Sequence, residues 1–381
     1  MTSLTNPGDF PLTETWSYMN AANVALMPMS SAKVITDWQT DVALNGSNNF
    51  NDHAEDTAFD GLRVQGARLF NCREEDIAGG SSCTELLSSV AWAVMPGKHE
   101  NVVSTDIVFP STIYPFTRVS QHTGCEIRLA KGENGYASFD EIVKNIDRNT
   151  AVVSISHAEY TGGQLYDLAA LAEVAHANDA LLVVDATQSA GAIPIDAPAS
   201  GADVIISGSY KWLCGPFGAA VMYLAPHLHE KLVPGFVGFR SHEDMWNLSP
   251  ERLEYPSTAK RFESATMAFG CIKGLGKSIE YLTDIGIQRI YDHNIMLADR
   301  LIEGLNGLDL EVVSPSNIKE RTSIVTCRVN GFDPAGIVLG LKERNVVVHK
   351  RQEFVRFSPH LYNCGDDIER AVTELSRLLK K

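Results

Sequence analysis

The chain has 381 residues, which is more than one compact hydrophobic core usually spans, so we expect one large domain and one smaller domain. Its 47 acidic and 32 basic residues give a net charge of −15, which argues against nucleic acid or an anionic membrane as the main partner. A small anionic ligand is still compatible with this charge, because a few local basic side chains and backbone N–H groups can override the global field.

The cysteine pattern and the hydropathy indicate in which cellular compartment the protein is located. The seven cysteines are scattered and show no CxxC spacing, which is typical of reduced thiols. No segment approaches the roughly 18 apolar residues of a membrane span, and the N-terminal MTSLTNPGDFPLTETW shows no signal peptide. We therefore expect a cytoplasmic protein.

Short apolar segments alternate with amphipathic segments over the first two thirds of the chain. The segments 84–95 and 168–176 have helical periodicity, and strands are predicted at 101–105, 126–130, 151–156, 181–185, 204–207 and 219–224. This alternation requires crossovers and predicts an α/β fold with a largely parallel sheet. The segment 219–224 follows its predecessor after a tight turn, so we expect it to run antiparallel to its neighbour.

The pattern changes after about residue 256. The segment 266–305 predicts one or two long helices interrupted near Gly286, followed by strands at 323–329, 345–349 and 354–358 and a helix at 366–379. We therefore predict a large domain over 16–265 and a smaller α+β domain over 266–381, with residues 1–15 packing nearby. In an open parallel sheet, a ligand site is expected at the carboxyl ends of the strands.

Two charged residues follow neighbouring apolar strands at that edge. Asp185 ends the strand in VVDATQ, and Lys211 follows the strand in VIISGSYK. Parallel strands joined by a short crossover would place both side chains over one pocket, where the amine can form a Schiff base and the carboxylate can hold a pyridinium nitrogen. From these residues alone, an Asp that caps a turn and a surface Lys are equally compatible with the pattern.

The segments VDATQSAGAIPID and SGSYKWLCGPFG resemble the cofactor segment of class V aminotransferase-type enzymes, which include cysteine desulfurases, kynureninases and isopenicillin N epimerase-like proteins. The resemblance covers nearly the whole chain, because further blocks occur in the same order. It implies pyridoxal 5′-phosphate (PLP) as the cofactor. It also implies fold type I, in which the large domain holds a mostly parallel seven-stranded sheet.

The resemblance implies roles for five residues of this segment. Lys211 would form the Schiff base with PLP and then move the Cα proton of the substrate, and Asp185 would pair with the pyridinium nitrogen. Gln188 would hydrogen-bond the 3-oxygen of the cofactor. Ser209 and Tyr210, which precede the lysine, would reach the phosphate.

Two further blocks add cofactor contacts by the same resemblance. In IAGGSSCTELL, glycines and serines lead into a helix whose first N–H groups can bind an anion, so Ser82 and Cys83 would hold the phosphate. The thiol of Cys83 is expected to be a small buried filler. In STDIVFPSTIYPF, Phe109 would stack on the cofactor ring.

The substrate side is predicted from three other blocks. In VRFSPHLYN, Arg356 would grip the α-carboxylate of the substrate with two parallel hydrogen bonds. In YMNAANVALMP, Asn20 and Ala22 would line the pocket. In SISHAEYTGG, His157 and Tyr160 would lie near the substrate and could help the leaving group.

The block RFESATMAFG resembles a segment whose threonine reaches the phosphate of the neighbouring subunit. Thr266 inherits that role, which would make the active unit at least a homodimer. A helix N-cap at Ser264 or Thr266 is the alternative, and the two roles are compatible.

The reaction type is left open by these residues. Cysteine desulfurases need a mobile cysteine before the carboxylate-binding arginine, and the segment NVVVHKRQEFV contains none. Our leading hypothesis is a β-lyase that acts on a cysteine-type L-amino acid through an aldimine and a quinonoid; the alternatives are an aminotransferase and an epimerase. A non-enzymatic PLP-fold protein is disfavoured because both Lys211 and Asp185 are present, and no GxGxxG supports an NAD-binding fold.

Overall fold

A computed structural model describes residues 2–6, 8–133 and 135–380. The strands are β1 (Ser17–Tyr18), β2 (Ile77–Gly80), β3 (Asn101–Thr105), β4 (Glu126–Ala130), β5 (Thr150–Ser156), β6 (Leu181–Asp185), β7 (Val204–Gly208), β8 (Ala220–Leu224), β9 (Glu311–Val312), β10 (Val325–Arg328), β11 (Val346–Val347), β12 (His349–Arg351) and β13 (Phe354–Phe357). The helices are α1 (Met29–Asn45), α2 (Asp52–Asp56), α3 (Asp60–Phe70), α4 (Cys83–Val94), α5 (Pro110–Thr123), α6 (Phe139–Val143), α7 (Leu168–His176), α8 (Ala197–Ser200), α9 (Phe269–Ile285), α10 (Ile287–Asn306), α11 (Pro334–Lys342) and α12 (Gly365–Leu379).

Seven strands form the central sheet, in the order β2-β8-β7-β6-β5-β3-β4. Strand β8 is antiparallel to both of its neighbours, and every other pair in the sheet is parallel. The predicted α/β fold with a mostly parallel seven-stranded sheet is confirmed, and so is the antiparallel direction of β8. Strand β2 was not predicted, because a four-residue segment with two glycines has no readable alternation of apolar residues.

Helices cover both faces of this sheet, as the crossovers require. On one face, α4 and α5 pack against the strands through fully buried side chains such as Leu87, Val90 and Phe116. On the other face, α3, α7 and α9 bury Leu62, Leu171 and Ile272. Each such aliphatic or aromatic side chain contributes about 1.5–3 kcal/mol when it is fully removed from water.

The second sheet has four antiparallel strands in the order β12-β13-β10-β9, and helices α10 and α12 pack in its core. The predicted interruption near Gly286 is present: this residue separates α9 from α10 and has a φ of 98°, which glycine adopts without steric cost. Helix α9 belongs to the core of the large sheet, whereas α10 extends into the core of the small one. The predicted boundary between the two domains, between residues 265 and 266, stays a prediction.

The N-terminal segment connects the two sheets. Strand β1 pairs in parallel with β11, with Ser17 opposite Val346, and Asn20 forms a bridge with Ser358 just after β13. A few residues later, the amide of Ala25 donates to the carbonyl of Tyr210. Strands β1 and β11 form a separate two-stranded sheet, and the segment runs from there to the carboxyl end of the large sheet. No helix in the described residues is long and apolar enough to cross a membrane.

Candidate active site

A cavity lies at the carboxyl ends of β6 and β7, where the first turns of α4 and α5 meet the large sheet. Seven predicted site residues line it: Ser82, Cys83, Phe109, Asp185, Gln188, Tyr210 and Lys211. The space between them, including the open mouth, is about 540 Å³. This volume is within the range of about 300–1,000 Å³ that is common for cofactor and ligand sites.

Lys211 presents a buried amine to this cavity. The residue is 6% exposed, and its Nζ lies 5.3 Å from the ring centroid of Phe109 and 5.8 Å from that of Tyr210. Burial lowers the pKa of the amine to about 8; the charge of Asp185 opposes this shift and that of Arg356 adds to it. A larger fraction of the amine is therefore unprotonated near neutral pH than for a surface lysine, which favours attack on a carbonyl group.

Asp185 is held in one orientation by two donors. The Thr112 hydroxyl donates to Oδ2 at 2.9 Å, and the Thr187 amide donates to Oδ1 at 2.9 Å. The carboxylate is 6% exposed and ends β6. Since a carboxylate oxygen can accept more than one hydrogen bond, Asp185 can still accept from a protonated nitrogen in the cavity.

Gln188 connects the cavity wall to two other segments. Its Nε2 donates to the carbonyl of Ala22 at 3.0 Å, and its Oε1 accepts from Trp212 Nε1 at 2.8 Å. One N–H and one acceptor position of the amide are left for a ligand. Through this contact the structure brings Ala22 to the site, while the nearby Asn20 is buried and its Oδ1 has no partner among the residues that the structure describes.

Another wall of the cavity is the N-terminus of α4. Ser82 caps the helix by accepting the Glu85 amide at 3.1 Å, and the next residues, Cys83 and Thr84, line the cavity with first-turn N–H groups that no helical carbonyl can reach. A Cβ added to Gly80 would lie 2.6 Å from Leu86, so the close approach of β2 to this helix requires glycine. The arrangement can bind a phosphate. Burial and the nearby Asp185 raise the pKa of the Cys83 thiol well above its usual value.

The aromatic wall leads outward to a buried guanidinium. Phe109 caps α5 and meets Tyr160 edge to face, with ring centroids 5.4 Å apart. The Tyr160 carbonyl accepts from Arg356, whose Nε and Nη2 have no partner among residues 2–6, 8–133 and 135–380 although the residue is fully buried. Burial and the charge of Arg351 lower the pKa of Arg356 to about 9. Unpaired guanidinium nitrogens of this kind call for an anion.

Three predicted site residues are not brought to the cavity of their own chain. The Ser209 hydroxyl is buried and donates to the Pro216 carbonyl, so it is not directed at the site. His157 pairs through Nδ1 with Ser189 Oγ at 3.0 Å, and burial lowers the pKa of its imidazole to about 4. Thr266 is exposed, and its hydroxyl donates to Glu55 Oε1 at 3.3 Å.

Several polar residues at the site were missed by the sequence reasoning. Four of them line the cavity, namely Thr84, Ser111, Ser156 and Thr187, and Thr112 holds Asp185. Thr187 lies within the Asp-x-x-Gln segment, so its position was a usable signal. Thr112 carried no signal, because its contact depends on the packing of α5 against β6 rather than on spacing.

The residues present fit a planar, phosphorylated aldehyde. The cavity combines a buried amine, a buried carboxylate, an aromatic side chain and a helix N-terminus, which are the groups that such a cofactor engages.

Comparisons with known proteins agree with a cavity built for such a cofactor. The family model described as Aminotransferase class-V matches residues 18–371. An uncharacterized aminotransferase, YcbU, from Bacillus subtilis is 24% identical over 96% of this chain and 95% of its own length. A probable cysteine desulfurase from Methanothermobacter thermautotrophicus is 25% identical over 95% of this chain and 94% of its own length.

Solved structures are similar over almost the full length. The apo structure of a cysteine desulfurase from Thermococcus onnurineus superposes with a TM-score of 0.88 and 23% identity, covering 100% of both chains. The cystine C-S lyase C-DES, in complex with its reaction product cysteine persulfide, has a TM-score of 0.86 and 22% identity, covering 96% of this chain and 99% of that one. At these identities the likeness concerns the fold.

Proposed function

The chain belongs to the aminotransferase class-V family, and from that premise we propose that it is a β-lyase that eliminates the Cβ substituent of a cysteine-type L-amino acid. The predictions of an enzyme and of PLP as the cofactor are confirmed by the family. The observation that carries the proposal is the buried amine of Lys211, which shares one cavity with the carboxylate of Asp185.

Five residues are proposed to hold the cofactor. Asp185 would bind the protonated ring nitrogen, Phe109 would contact the ring face, and Gln188 would use its remaining N–H toward the ring oxygen. The first turn of α4, at Cys83 and Thr84, would take the phosphate. When bound, PLP withdraws electrons from Cα of the amino acid, which makes the Cα proton removable.

Lys211 is proposed to move that proton. Its amine has a pKa of about 8, so near neutral pH it can accept a proton and return it. The substrate would be oriented by Arg356, whose unpaired Nε and Nη2 can bind the two oxygens of an α-carboxylate. Fixing this group limits rotation of the amino acid and keeps the Cα–H bond directed at the amine.

Tyr160 is a better candidate than His157 for protonating the leaving group. Its ring meets Phe109, and its hydroxyl makes no hydrogen bond within the described part of the chain. The imidazole of His157 is instead engaged with Ser189 Oγ, and burial lowers its pKa to about 4. A leaving sulfur would then receive its proton from the phenol.

A route through a protein persulfide has little support in the arrangement of the thiols. Strands β12 and β13 are joined only by Gln352 and Glu353, so no cysteine-bearing loop precedes Arg356. Among the described residues, Cys83 is the cysteine at the cavity, and its raised pKa keeps it protonated. A protonated thiol is a poor nucleophile. Direct elimination is therefore preferred to persulfide transfer.

Transamination is the second candidate, because the same amine, carboxylate and guanidinium would serve it, and the relative from Bacillus subtilis is named an aminotransferase. The two reactions differ in what happens to the amino group. Elimination releases it as ammonia together with pyruvate, whereas transamination leaves it on the cofactor until a keto acid accepts it.

The test is a visible spectrum of the purified PLP-loaded protein before and after addition of L-cysteine derivatives, without a keto acid, with pyruvate assayed in parallel. A cofactor band that changes and then recovers while pyruvate accumulates supports the β-lyase. A band that bleaches once and stays bleached until a keto acid is added identifies an aminotransferase. Lys211→Ala is the control, and it should lose both turnover and the lysine adduct that borohydride traps.

A further inference from the structure

A second arginine lies beside Arg356 on the same face of the β12–β13 hairpin. In the register of this pair, His349 is opposite Arg356 and Arg351 is opposite Phe354. Directly opposed residues share a face, and so do residues two apart along a strand. Arg351, Arg356 and His349 therefore project from one face of the hairpin.

That face is directed at the outer wall of the cavity. The Cζ of Arg351 lies 5.6 Å from the ring centroid of Tyr160, while Arg356 donates to the carbonyl of the same residue. Tyr160 in turn meets Phe109, which lies over the amine of Lys211. Arg351 is thus placed beyond the reacting end of the site, where the side chain of a bound amino acid would extend.

The positive charge here is not balanced by the protein. Within the described residues, Arg351 Nε is buried without a partner, and its Nη2 reaches only Asn23 Oδ1 at 3.4 Å. Burial lowers the pKa values of both arginines, and no carboxylate offsets this shift in either. Burial and the two guanidinium charges together lower the pKa of His349 to about 4, so the imidazole is neutral at pH 7.

Arg356 is fully buried and Arg351 is partly buried, and a cation that is removed from water without a partner is costly. Within the described residues, no carboxylate lies at ion-pair distance from Arg351 or Arg356, although Arg328, which is partly buried like Arg351, is paired twice. One α-carboxylate neutralises one guanidinium. A second negative charge on the ligand would pair with the other, which is the partly exposed Arg351.

We infer that the substrate is an L-amino acid whose Cβ substituent carries a second acidic group, and that Arg351 binds this group while Arg356 binds the α-carboxylate. The inference rests on the proposed function for the role of Arg356 and adds the substrate class. It makes Arg351 a specificity residue, and the side chains of Arg351 and Tyr160 form the subsite for the acidic group.

Two thioethers of nearly equal size test this assignment: S-carboxymethyl-L-cysteine ends in a carboxylate, and S-carboxamidomethyl-L-cysteine ends in a neutral amide. Pyruvate release would be measured with both at pH 7 for the wild type, for Arg351→Gln, and for Lys350→Gln. Lys350 is the exposed neighbour on the opposite face of β12 and controls for the loss of one positive charge.

The wild type should favour the carboxylate by about tenfold or more in kcat/KM, the usual scale of a hydrogen-bonded charge. Arg351→Gln should lose this preference, so that the ratio of the kcat/KM values for the two thioethers falls to about one, whereas Lys350→Gln should retain the wild-type ratio. Equal kcat/KM values for the two thioethers in the wild type would overturn the inference, as would a preference that survives in Arg351→Gln. Arg351→Lys, which keeps the charge, should restore part of the preference if the glutamine variant folds poorly.

A binding measurement separates this inference from the proposed reaction. Both thioethers are titrated against the PLP-loaded protein, and the change in the cofactor band gives Kd. If neither releases pyruvate, the β-lyase assignment fails; tighter binding of the carboxylate that depends on Arg351 would still support the acidic subsite. Equal Kd values would reject the subsite whatever the reaction.

Discussion

At the scale of single residues, the site depends on charges that the protein has wholly or partly removed from water. Burial lowers the pKa values of three basic side chains, Lys211, Arg356 and Arg351. The acidic residue that lines the cavity is Asp185. The protein thereby keeps an amine reactive and leaves guanidinium groups available to an anionic substrate. Such shifts are common at catalytic sites.

Replacing Arg356 should weaken substrate binding far more than it affects cofactor binding. In Arg356→Gln, the α-carboxylate loses a buried charge-assisted pair, which is worth about 2–5 kcal/mol, so KM should rise steeply for every α-amino acid. Steady-state kinetics with several substrates would measure this effect. Arg328→Gln, on the neighbouring strand β10, is the control and should leave KM unchanged. An unaltered KM in Arg356→Gln would place the carboxylate site elsewhere.

Glu159 should make the stability of the protein depend on pH. It is 1% exposed, its Oε2 has no partner in the described part of the chain, and burial raises the pKa of its carboxyl to about 8. The folded state therefore retains a proton that the unfolded state has lost above about pH 4.5. The free energy of unfolding should fall as pH rises from 5 toward 8, by up to about 1.4 kcal/mol per pH unit from this group.

Urea denaturation of the wild type and of Glu159→Gln between pH 5 and 8 would measure this contribution. The variant should gain stability relative to the wild type as pH rises, because glutamine has no proton to lose. Glu173→Gln, at an exposed position of α7, should show no such trend. A stability difference for Glu159→Gln that stays constant with pH would mean that this carboxyl titrates normally.

At the scale of elements, the turn after β6 and the segment after β7 must approach each other closely to bring Asp185 and Lys211 into one cavity. Gly191 has a φ of 90°, and a Cβ there would lie 2.4 Å from the carbonyl oxygen of Trp212. Both the backbone conformation and the space exclude a side chain. The glycine therefore sets the separation of the two segments.

Gly191→Ala should destabilise the protein and move the lysine segment. The strained backbone alone costs about 1–3 kcal/mol, and the clash with Trp212 adds to it. Thermal unfolding should show a lowered Tm, and PLP should bind more weakly. Gly61→Ala is the matched control, because a Cβ there meets nothing within 4 Å. An unchanged Tm for Gly191→Ala would show that the turn can relax without cost.

The elements also differ in how far the sequence could predict them. Strands β3, β4 and β6 have the predicted limits, because each is a short apolar segment bounded by polar residues. Helices α1 and α3 were not predicted: α1 has a single buried residue, so its amphipathic pattern is weak. For the site, motifs predicted the Lys211–Asp185 pair. The hairpin register that places Arg351 beside Arg356 became visible only in three dimensions.

At the scale of the whole molecule, Thr266 bears on the assembly. It is exposed and lies outside the cavity of its own chain, which is consistent with its predicted contact across a homodimer. We propose that each cavity is completed by Thr266 of the neighbouring subunit. This remains a prediction.

Mixing two variants tests it. Lys211→Ala should abolish turnover, and Thr266→Ala should weaken PLP binding in the cavity of the neighbour. If the variants are mixed in equal amounts after mild dissociation, each hybrid dimer should contain one intact cavity and one cavity with both substitutions. Random pairing makes about half of the dimers hybrid, so the mixture should recover up to about a quarter of the wild-type activity at limiting PLP. Mixtures with Thr13→Ala in place of Thr266→Ala provide the control. Recovery that exceeds neither parent would mean that Thr266 acts within its own chain, or that the protein does not form a dimer.

The pairing of β1 with β11 bears on how the protein is made. Ser17 leaves the ribosome early, but its partner Val346 follows about 330 residues later, which at 5–20 residues per second is a delay of roughly 15–70 s. The amide of Ala22 likewise cannot form its hydrogen bond until Ser358, whose hydroxyl accepts it, has been synthesised. A nascent chain can therefore form these contacts, and fix the Ala22 carbonyl that accepts from Gln188, only after residue 358 has been synthesised.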